Sequence, residues 1–113
     1  MADDIPRLSR RFTLEAPERT ADGGGGWRVS WQPLGMLWGD LEPARGSEGV
    51  VGARAQSRVT HRITVRLATA PAARPEPDQR LRLGARVFAV RAVAESDGGR
   101  AYLTVWAEEG PFS

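Results

Sequence analysis

The strongest constraint on this fold is a series of short stretches in which apolar and polar residues alternate, most of them bounded by glycine or proline. Side chains on a β-strand point to opposite faces with a period of two, so this alternation indicates half-buried strands. Residues 59–67 are the clearest case, because Val59, Ile63 and Val65 share one face with the single histidine, His61. The same pattern predicts strands over residues 10–16, 27–32, 36–42, 80–83, 87–93 and 101–108, with Pro33 interrupting or ending the second of these.

Glycine and proline also mark the connections between the predicted strands. Four consecutive glycines at 23–26 predict a mobile hairpin tip, and the glycines at 98–99 turn residues 86–94 back onto 100–108 as a second hairpin. The segment 44–58 carries Gly46, Gly49 and Gly52, which disfavour a stable helix, so we expect one long loop there. Residues 70–79 are rich in proline and are expected to be an extended, exposed connector.

These elements together predict an all-β protein, a small antiparallel β-barrel or sandwich of six to seven strands with one long loop. The length of 113 residues fits a single domain over residues 1–113, with residues 1–9 as an N-terminal arm. A domain of this size buries roughly two-thirds of the surface that its unfolded chain exposes, so oligomerisation would add to its stability.

The composition excludes several classes of site. There is no cysteine and only one histidine, so neither a disulfide framework nor a thiolate or histidine-rich metal site is expected, and we expect no cofactor. All 16 basic residues are arginines and the net charge is only +2, which does not favour tight nucleic-acid binding by a monomer. The N-terminus lacks an apolar region and no long apolar run follows, so we expect neither a secretory signal nor a membrane partner, and a cytoplasmic protein is the default.

Catalytic equipment is sparse as well. Ser57 and His61 are four residues apart with no acid in register, and His61 is interpreted as a core or interface histidine on an apolar face. Glu108 and Glu109 are adjacent and would point to opposite faces of a strand, so they do not form a paired-carboxylate site. The glycine run precedes a strand rather than a helix, and no lysine is present to complete a phosphate-binding loop. The sequence therefore predicts a binding protein and not an enzyme.

Two sets of residues are candidates for binding. Arginines recur every four residues at Arg54, Arg58, Arg62 and Arg66, and the last two would lie about 13 Å apart on one strand face. A solvated face is the simpler interpretation, and a row of charges at a subunit interface or along a nucleic-acid channel is the alternative. The four tryptophans are expected mainly in the core, with an interface role as the alternative for some of them: Trp27, Trp31, Trp38 and Trp106.

The order of several short motifs resembles one protein family. The motifs are the run LEAPERT at 14–20, Trp31 followed by WGDLEP at 38–43, RVTHRITVR at 58–66 and LGARVFAVRAV at 83–93. Over roughly residues 7–109 the chain resembles the phage head–tail joining proteins, also called head-closure or stopper proteins, which include members from gene transfer agents. The glycines at 46, 49 and 52 depart from the more helical stretch that such proteins carry there.

The resemblance implies a small β-barrel that forms a homo-oligomeric ring, six-fold rather than twelve-fold. The ring would join the portal or adaptor on the head side to the tail terminator, at the neck of a particle assembled in the bacterial cytoplasm, and would retain the packaged double-stranded DNA. The loop 44–58 would project into the channel, with Arg45, Glu48, Arg54 and Arg58 facing DNA. Subunits would meet through Trp38, Arg62, Arg66 and Trp106.

Two alternatives remain open at this point. One is an adaptor or tail-terminator role in the same assembly. The other is a stand-alone oligonucleotide-binding β-barrel, which would need exposed aromatic residues beside a basic groove, as Trp27 and Trp31 near Arg28 would supply.

Overall fold

Six antiparallel strands of the computed structural model hydrogen-bond in a closed order, β1-β2-β5-β8-β7-β6, and so form a barrel. The structure describes residues 8–44, 50–51, 54–55, 59–67, 74–95 and 101–110. The strands are β1 (Arg10–Ala21), β2 (Trp27–Pro43), β5 (His61–Arg66), β6 (Arg80–Leu83), β7 (Arg86–Glu95) and β8 (Tyr102–Gly110), with a separate two-stranded sheet of β3 (Val50–Val51) and β4 (Arg54–Ala55). The prediction of an all-β, antiparallel fold is confirmed, and the closed order selects the barrel over the sandwich.

The core lies inside this closed sheet. Alternation sends one side of each strand inward, as predicted for β5 and β8, where Ile63, Val65, Leu103 and Val105 are buried. Two aromatic rings at the centre meet edge to face, because Phe12 on β1 and Phe88 on β7 have centroids 6.2 Å apart. Burying each of these large side chains contributes about 1.5–3 kcal/mol to stability.

At Pro33 the structure has an interruption and not an end of the strand, because β2 runs through it with a shift in register. Glu15 is paired with Pro33, Leu14 is paired with Gly35, and Leu34 is left over as the extra residue of a β-bulge. β2 pairs with β5 only over residues 39–43, so its second edge is open at residue 33. A proline is tolerated there since no hydrogen bond to a further strand is lost.

The predicted hairpins are confirmed. β1 and β2 are joined at 22–26, where the Asp22 carboxylate accepts hydrogen bonds from the amides of Gly24 (2.8 Å) and Gly26 (3.0 Å). These bonds lower the pKa of Asp22. Gly23 and Gly25 have φ of 85° and 87°, a conformation that favours glycine, so the glycine run is suited to this tight tip.

Two connections differ in part from expectation. The predicted loop 44–58 contains the short strands β3 and β4, and its remaining residues from 45 onwards lie outside the described part. In the connector 70–79, described from residue 74, Pro75 is buried rather than exposed. The Gln79 amide donates to the Glu76 carbonyl (3.2 Å), and this turn leads the chain directly into β6.

Candidate interaction surface

The base of the predicted channel loop is fixed to the sheet. The Ala44 amide donates to the Thr60 carbonyl (3.0 Å), and the Thr60 amide donates to the Ala107 carbonyl on β8 (2.9 Å). The Thr60 hydroxyl accepts a further bond from the Glu109 amide (2.8 Å). The segment between residues 44 and 60 therefore leaves and re-enters the barrel at one anchored point.

Of the predicted DNA-facing residues, three lie outside the described part of the chain: Arg45, Glu48 and Arg58. The backbone of Arg54 belongs to β4, where it pairs with Val51. A DNA-facing role for these four residues stays a prediction.

His61 lies beside this base, on the apolar face predicted for it. Its ring meets that of Phe88 edge to face at 5.3 Å, and its Nδ1 is 2.9 Å from the Thr60 hydroxyl. Partial burial lowers the pKa of His61; the charge of Glu109, whose carboxylate is 3.8 Å from Nε2, acts in the opposite direction, and Arg86 reinforces the lowering.

Glu109 is held mainly by Arg86. The guanidinium of Arg86 donates two hydrogen bonds to the Glu109 carboxylate, at 2.8 and 3.0 Å. These hydrogen bonds lower the pKa of Glu109 and raise that of Arg86. With its partner already an arginine, Glu109 is suited to hold the end of β8 and not to act as a free catalytic carboxylate.

The four predicted subunit-interface residues share the outer face of three neighbouring strands, β2, β5 and β8. Arg62 is directly opposite Trp106, and its guanidinium pairs with Glu42 on β2 at 2.6 Å. Trp38 and Arg66 line a separate shallow concavity with Leu8, further along the same strands. The structure thus brings together residues that are far apart in sequence.

The prediction that the tryptophans lie mainly in the core is wrong. The buried core contains none of the four: Trp31 and Trp106 are half-buried, Trp38 is 50 % exposed and Trp27 is 69 % exposed. The inward positions on all six strands are occupied by smaller aliphatic side chains and two phenylalanines. Alternation then leaves the tryptophans on the outside.

The bulge at Leu34 determines which outer face the tryptophans of β2 occupy. Directly opposite residues of antiparallel strands share a face, and Trp27, Val29 and Trp31 lie opposite Ala21, Arg19 and Pro17 on β1. Beyond the bulge, Met36 and Trp38 lie opposite Thr13 and Arg11. All of these β1 residues are odd-numbered, so both groups of β2 face the same way despite their different parity. We call this set the outer stripe: Trp27, Val29, Trp31, Met36 and Trp38.

The sequence analysis missed the outer stripe, although the signal was present. Strict alternation places odd and even residues on opposite faces, and Pro33, in the run Pro33–Leu34–Gly35, predicts an interruption or an end of the strand. A bulge at that run is the alternative that would have joined the two halves. The stripe now contains every large apolar side chain that is markedly exposed among the described residues: Trp27, Val29, Met36 and Trp38.

Arginine flanks the stripe in an uneven way. Six described arginines pair with a carboxylate, namely Arg62, Arg74, Arg80, Arg82, Arg86 and Arg91. Of the arginines whose side chains the structure describes, the other five form no ion pair with a described carboxylate, namely Arg10, Arg11, Arg19, Arg28 and Arg66. All five belong to β1, β2 and β5. The side of the barrel that carries the stripe therefore also carries uncompensated positive charge.

Other kinds of site find no support in the described residues. No group of three or more histidine, aspartate or glutamate side chains among them is placed to hold a metal ion. No helix there is long and apolar enough to cross a membrane.

Comparison with known proteins decides the family. The sequence matches the phage head completion protein family over residues 3–110. The chain belongs to this family. The predicted resemblance is thus confirmed, and membership assigns a structural role in completing the phage head and not an enzymatic one.

Two solved structures share the fold of this chain. A chain in the virion of a native gene transfer agent particle is 42 % identical, with a TM-score of 0.68 and coverage of 94 % of this chain and 98 % of that one. Protein SF1141 from Shigella flexneri 2a has a TM-score of 0.70 at 22 % identity, with coverage of 97 % and 99 %, and shares the fold. No match was found among curated proteins.

Proposed function

We propose that this protein is a head–tail connector subunit of the stopper, or head-closure, kind. Copies form a homo-oligomeric ring, six-fold rather than twelve-fold, at the neck of a virion or virus-like particle that assembles in the bacterial cytoplasm. The ring joins the portal or adaptor to the tail terminator and retains the packaged double-stranded DNA. The family and the similarity to a chain of a gene transfer agent virion support this proposal.

The proposed ring is supported mainly by the residues on the outer face of β2, β5 and β8. The barrel is closed, and the open sheet edges lie mainly on β1 and β2, where Pro17 and Pro33 disfavour an added strand. Contacts between copies must then be made mainly by side chains on outer faces. Trp38 and Arg66, both exposed, supply the aromatic and arginine residues in which interface cores are enriched, and Arg62 and Trp106 extend the patch.

The loop 44–58 is proposed as the part that meets DNA. Its base is anchored to β8 through Thr60, so a force on the loop would be transmitted to the barrel. In a ring, Arg45, Arg54 and Arg58 would be repeated around the channel, which multiplies a modest charge on each chain. Glu48 would lie among them and limit how strongly the loop holds phosphate.

Imaging intact particles and locating this chain tests the proposal. We expect density for the barrel at the junction between head and tail, in a ring around the channel. A position in the head shell or along the tail would rule out the connector role. Placement directly on the portal or directly on the tail tube would favour the adaptor or the tail-terminator role in its place.

A nucleic-acid-binding barrel is a second candidate because Trp27 is exposed and lies in one cleft with Arg19 and Arg28. Aromatic stacking and arginine are what single strands require. Binding of the purified protein to single-stranded DNA at several salt concentrations separates the two functions. Tight binding with a steep salt dependence would favour this second function, and weak binding at physiological salt would favour the connector.

A further inference from the structure

The β1–β2 hairpin extends beyond the closed sheet. β1 pairs with β6 only over residues 13–15, and β2 pairs with β5 only over residues 39–43. Within the described chain, residues 16–21 and 27–32 therefore pair only with each other, and we call this part the ribbon. A two-stranded hairpin alone is marginally stable in water, so contact with another surface would stabilise it.

One face of the ribbon has the composition of an interface. Trp27, Val29 and Trp31 share that face with Pro17 and Arg19, and Trp27 and Val29 are 69 % and 47 % exposed. We call these five residues the ribbon face. The other face carries polar or small residues at the described positions, including Glu18, Thr20, Arg28, Ser30 and Gln32. Aromatic residues and arginine are enriched at the cores of protein interfaces.

The face of the ribbon is a better docking surface than its edges. Pro17 on β1 and Pro33 at the foot of β2 have no N–H to offer to an added strand. Proline on an edge is a common device against strand addition. A partner would therefore pack on the side chains of the ribbon face.

The charge of the ribbon indicates the chemistry of the partner. Arg19 and Arg28 are among the described arginines that no carboxylate compensates, so the partner should supply carboxylates. A second copy of this chain also has described carboxylates that no ion pair joins to a described arginine, such as Glu18, Asp40 and Asp78, so charge alone does not distinguish it from another protein. In the proposed ring, however, copies meet through the outer face of β2, β5 and β8, which leaves the ribbon face for a different component. Duplex DNA offers negative phosphates but no apolar surface to bury Trp27 and Val29.

We propose that the ribbon face docks onto a different structural protein of the particle, at an apolar surface that carries carboxylates. This proposal rests on the connector function, in which the barrel faces bind copies of this chain. The ribbon then forms the contact to the next component along the particle axis.

Cysteine labelling tests this directly, because the chain has no cysteine. Val29→Cys places one thiol on the ribbon face, and Ser30→Cys places one on the opposite face as a matched, exposed control. The rate of maleimide labelling is measured in the purified protein, in intact particles and in particles emptied of DNA. We expect Val29→Cys to react at least about tenfold more slowly in both kinds of particle than in the purified protein. Ser30→Cys should remain reactive in all three.

Three other results would overturn the docking, and a fourth would separate it from the connector function. Slow labelling of Val29→Cys already in the purified protein would show that a second copy covers the ribbon face. Protection lost on emptying the particles would assign the face to DNA, and equal rates throughout would show that nothing docks there. If Val29→Cys is protected in particles but imaging locates this chain outside the neck, the docking is supported and the connector function is rejected.

A charge reversal tests the carboxylates of the partner separately. Arg19→Glu lies on the ribbon face, and Arg10→Glu, at an exposed position of β1 outside the ribbon, is its control. We expect Arg19→Glu to lower incorporation into particles about tenfold relative to Arg10→Glu, with the fold of both checked by circular dichroism. Equal incorporation of two folded variants would contradict the acidic nature of the docking surface.

Discussion

The guanidinium of Arg80 on β6 stacks over the ring of Trp31 on β2, 4.2 Å from the ring centroid. The same guanidinium donates through Nε to the buried carboxylate of Glu15 (2.6 Å), which Arg82 also approaches at 3.3 Å. Because Glu15 is paired with Pro33 at the bulge, this network ties the foot of the ribbon to β6. The direction in which the ribbon leaves the barrel therefore depends on one buried charge and its two arginines.

Removing Arg80 should destabilise the protein. In Arg80→Ala the Glu15 carboxylate keeps only Arg82, and a buried charge that loses a partner is costly, so we expect a loss of about 2 kcal/mol in the free energy of unfolding. Urea denaturation measures this. Arg74→Ala is the control, since its pair with Glu95 is exposed and should be worth no more than about 1 kcal/mol. Equal losses in the two variants would contradict a special role for the Glu15 network.

Stability should fall as the pH is lowered from 7 to 5. The pKa of His61 is lower in the folded protein than its usual value of about 6.5, so the unfolded chain binds the proton first and protonation favours unfolding. The lowered pKa values of Glu109 and Asp22 act in a separate window, below their usual values of about 4 to 4.5, where the folded state loses its stabilised carboxylates. Thermal unfolding at each pH measures both effects. In His61→Gln, stability should depend less on pH between 7 and 5 but should still fall at the lower pH at which Glu109 and Asp22 are protonated. An unchanged dependence between pH 7 and 5 in that variant would show that another group causes it.

The loop arginines should matter for the particle and not for the fold. We expect the free energy of unfolding of the double variant Arg54→Ala, Arg58→Ala to lie within about 0.5 kcal/mol of the wild type, since neither residue belongs to the described core and surface substitutions usually change stability little. Particle yield or packaged DNA content should fall, because fewer positive charges would meet phosphate in the channel. Arg74→Ala removes an exposed arginine elsewhere and is the control. Wild-type yield and DNA content in the double variant would show that the loop does not hold DNA through these residues.

The outer face of β2 and β5 should control assembly of the ring. The double variant Trp38→Ser, Arg66→Glu removes an exposed aromatic ring and reverses a neighbouring charge, so the concentration needed for assembly should rise at least about tenfold. Light scattering after size-exclusion chromatography gives the mass of the oligomer. Arg28→Glu, on the ribbon, should assemble as the wild type does. A ring of normal mass from the double variant would place the contact between copies elsewhere.

Much of the fold could be predicted wherever a strand alternates without interruption. For β5 and β8 the buried and outer faces follow from the sequence, because Ile63 and Val65, or Leu103 and Val105, recur with a period of two between polar neighbours. The hairpin of β7 and β8 follows for the same reason.

The rest required knowledge of pairing. Whether Pro33 ends β2 or lies at a bulge depends on what faces it, and the partner Glu15 is distant in sequence. The location of the tryptophans depends on how much room the closed sheet leaves inside, which composition does not reveal. The sequence proposes Trp38, Arg66 and Trp106 for one subunit interface. That they lie on one face of the barrel depends on the strand order β2-β5-β8, which the sequence does not reveal.

The extra residue of β2 at Leu34 lets one face run from the barrel onto the ribbon although its residues change from even to odd numbers. Deleting Leu34 would remove the bulge and leave the other pairs of β1 and β2 in place, so Trp27 and Val29 would keep their face. Losing one paired residue between the bulge and the hairpin tip, with the bulge kept, would instead exchange Trp27 and Val29 with Arg28 and Ser30. No single substitution could do the same. A change of one residue in chain length within the ribbon could therefore reorient a connector toward a different neighbour, which gives related particles a short route to new partners without rebuilding the barrel.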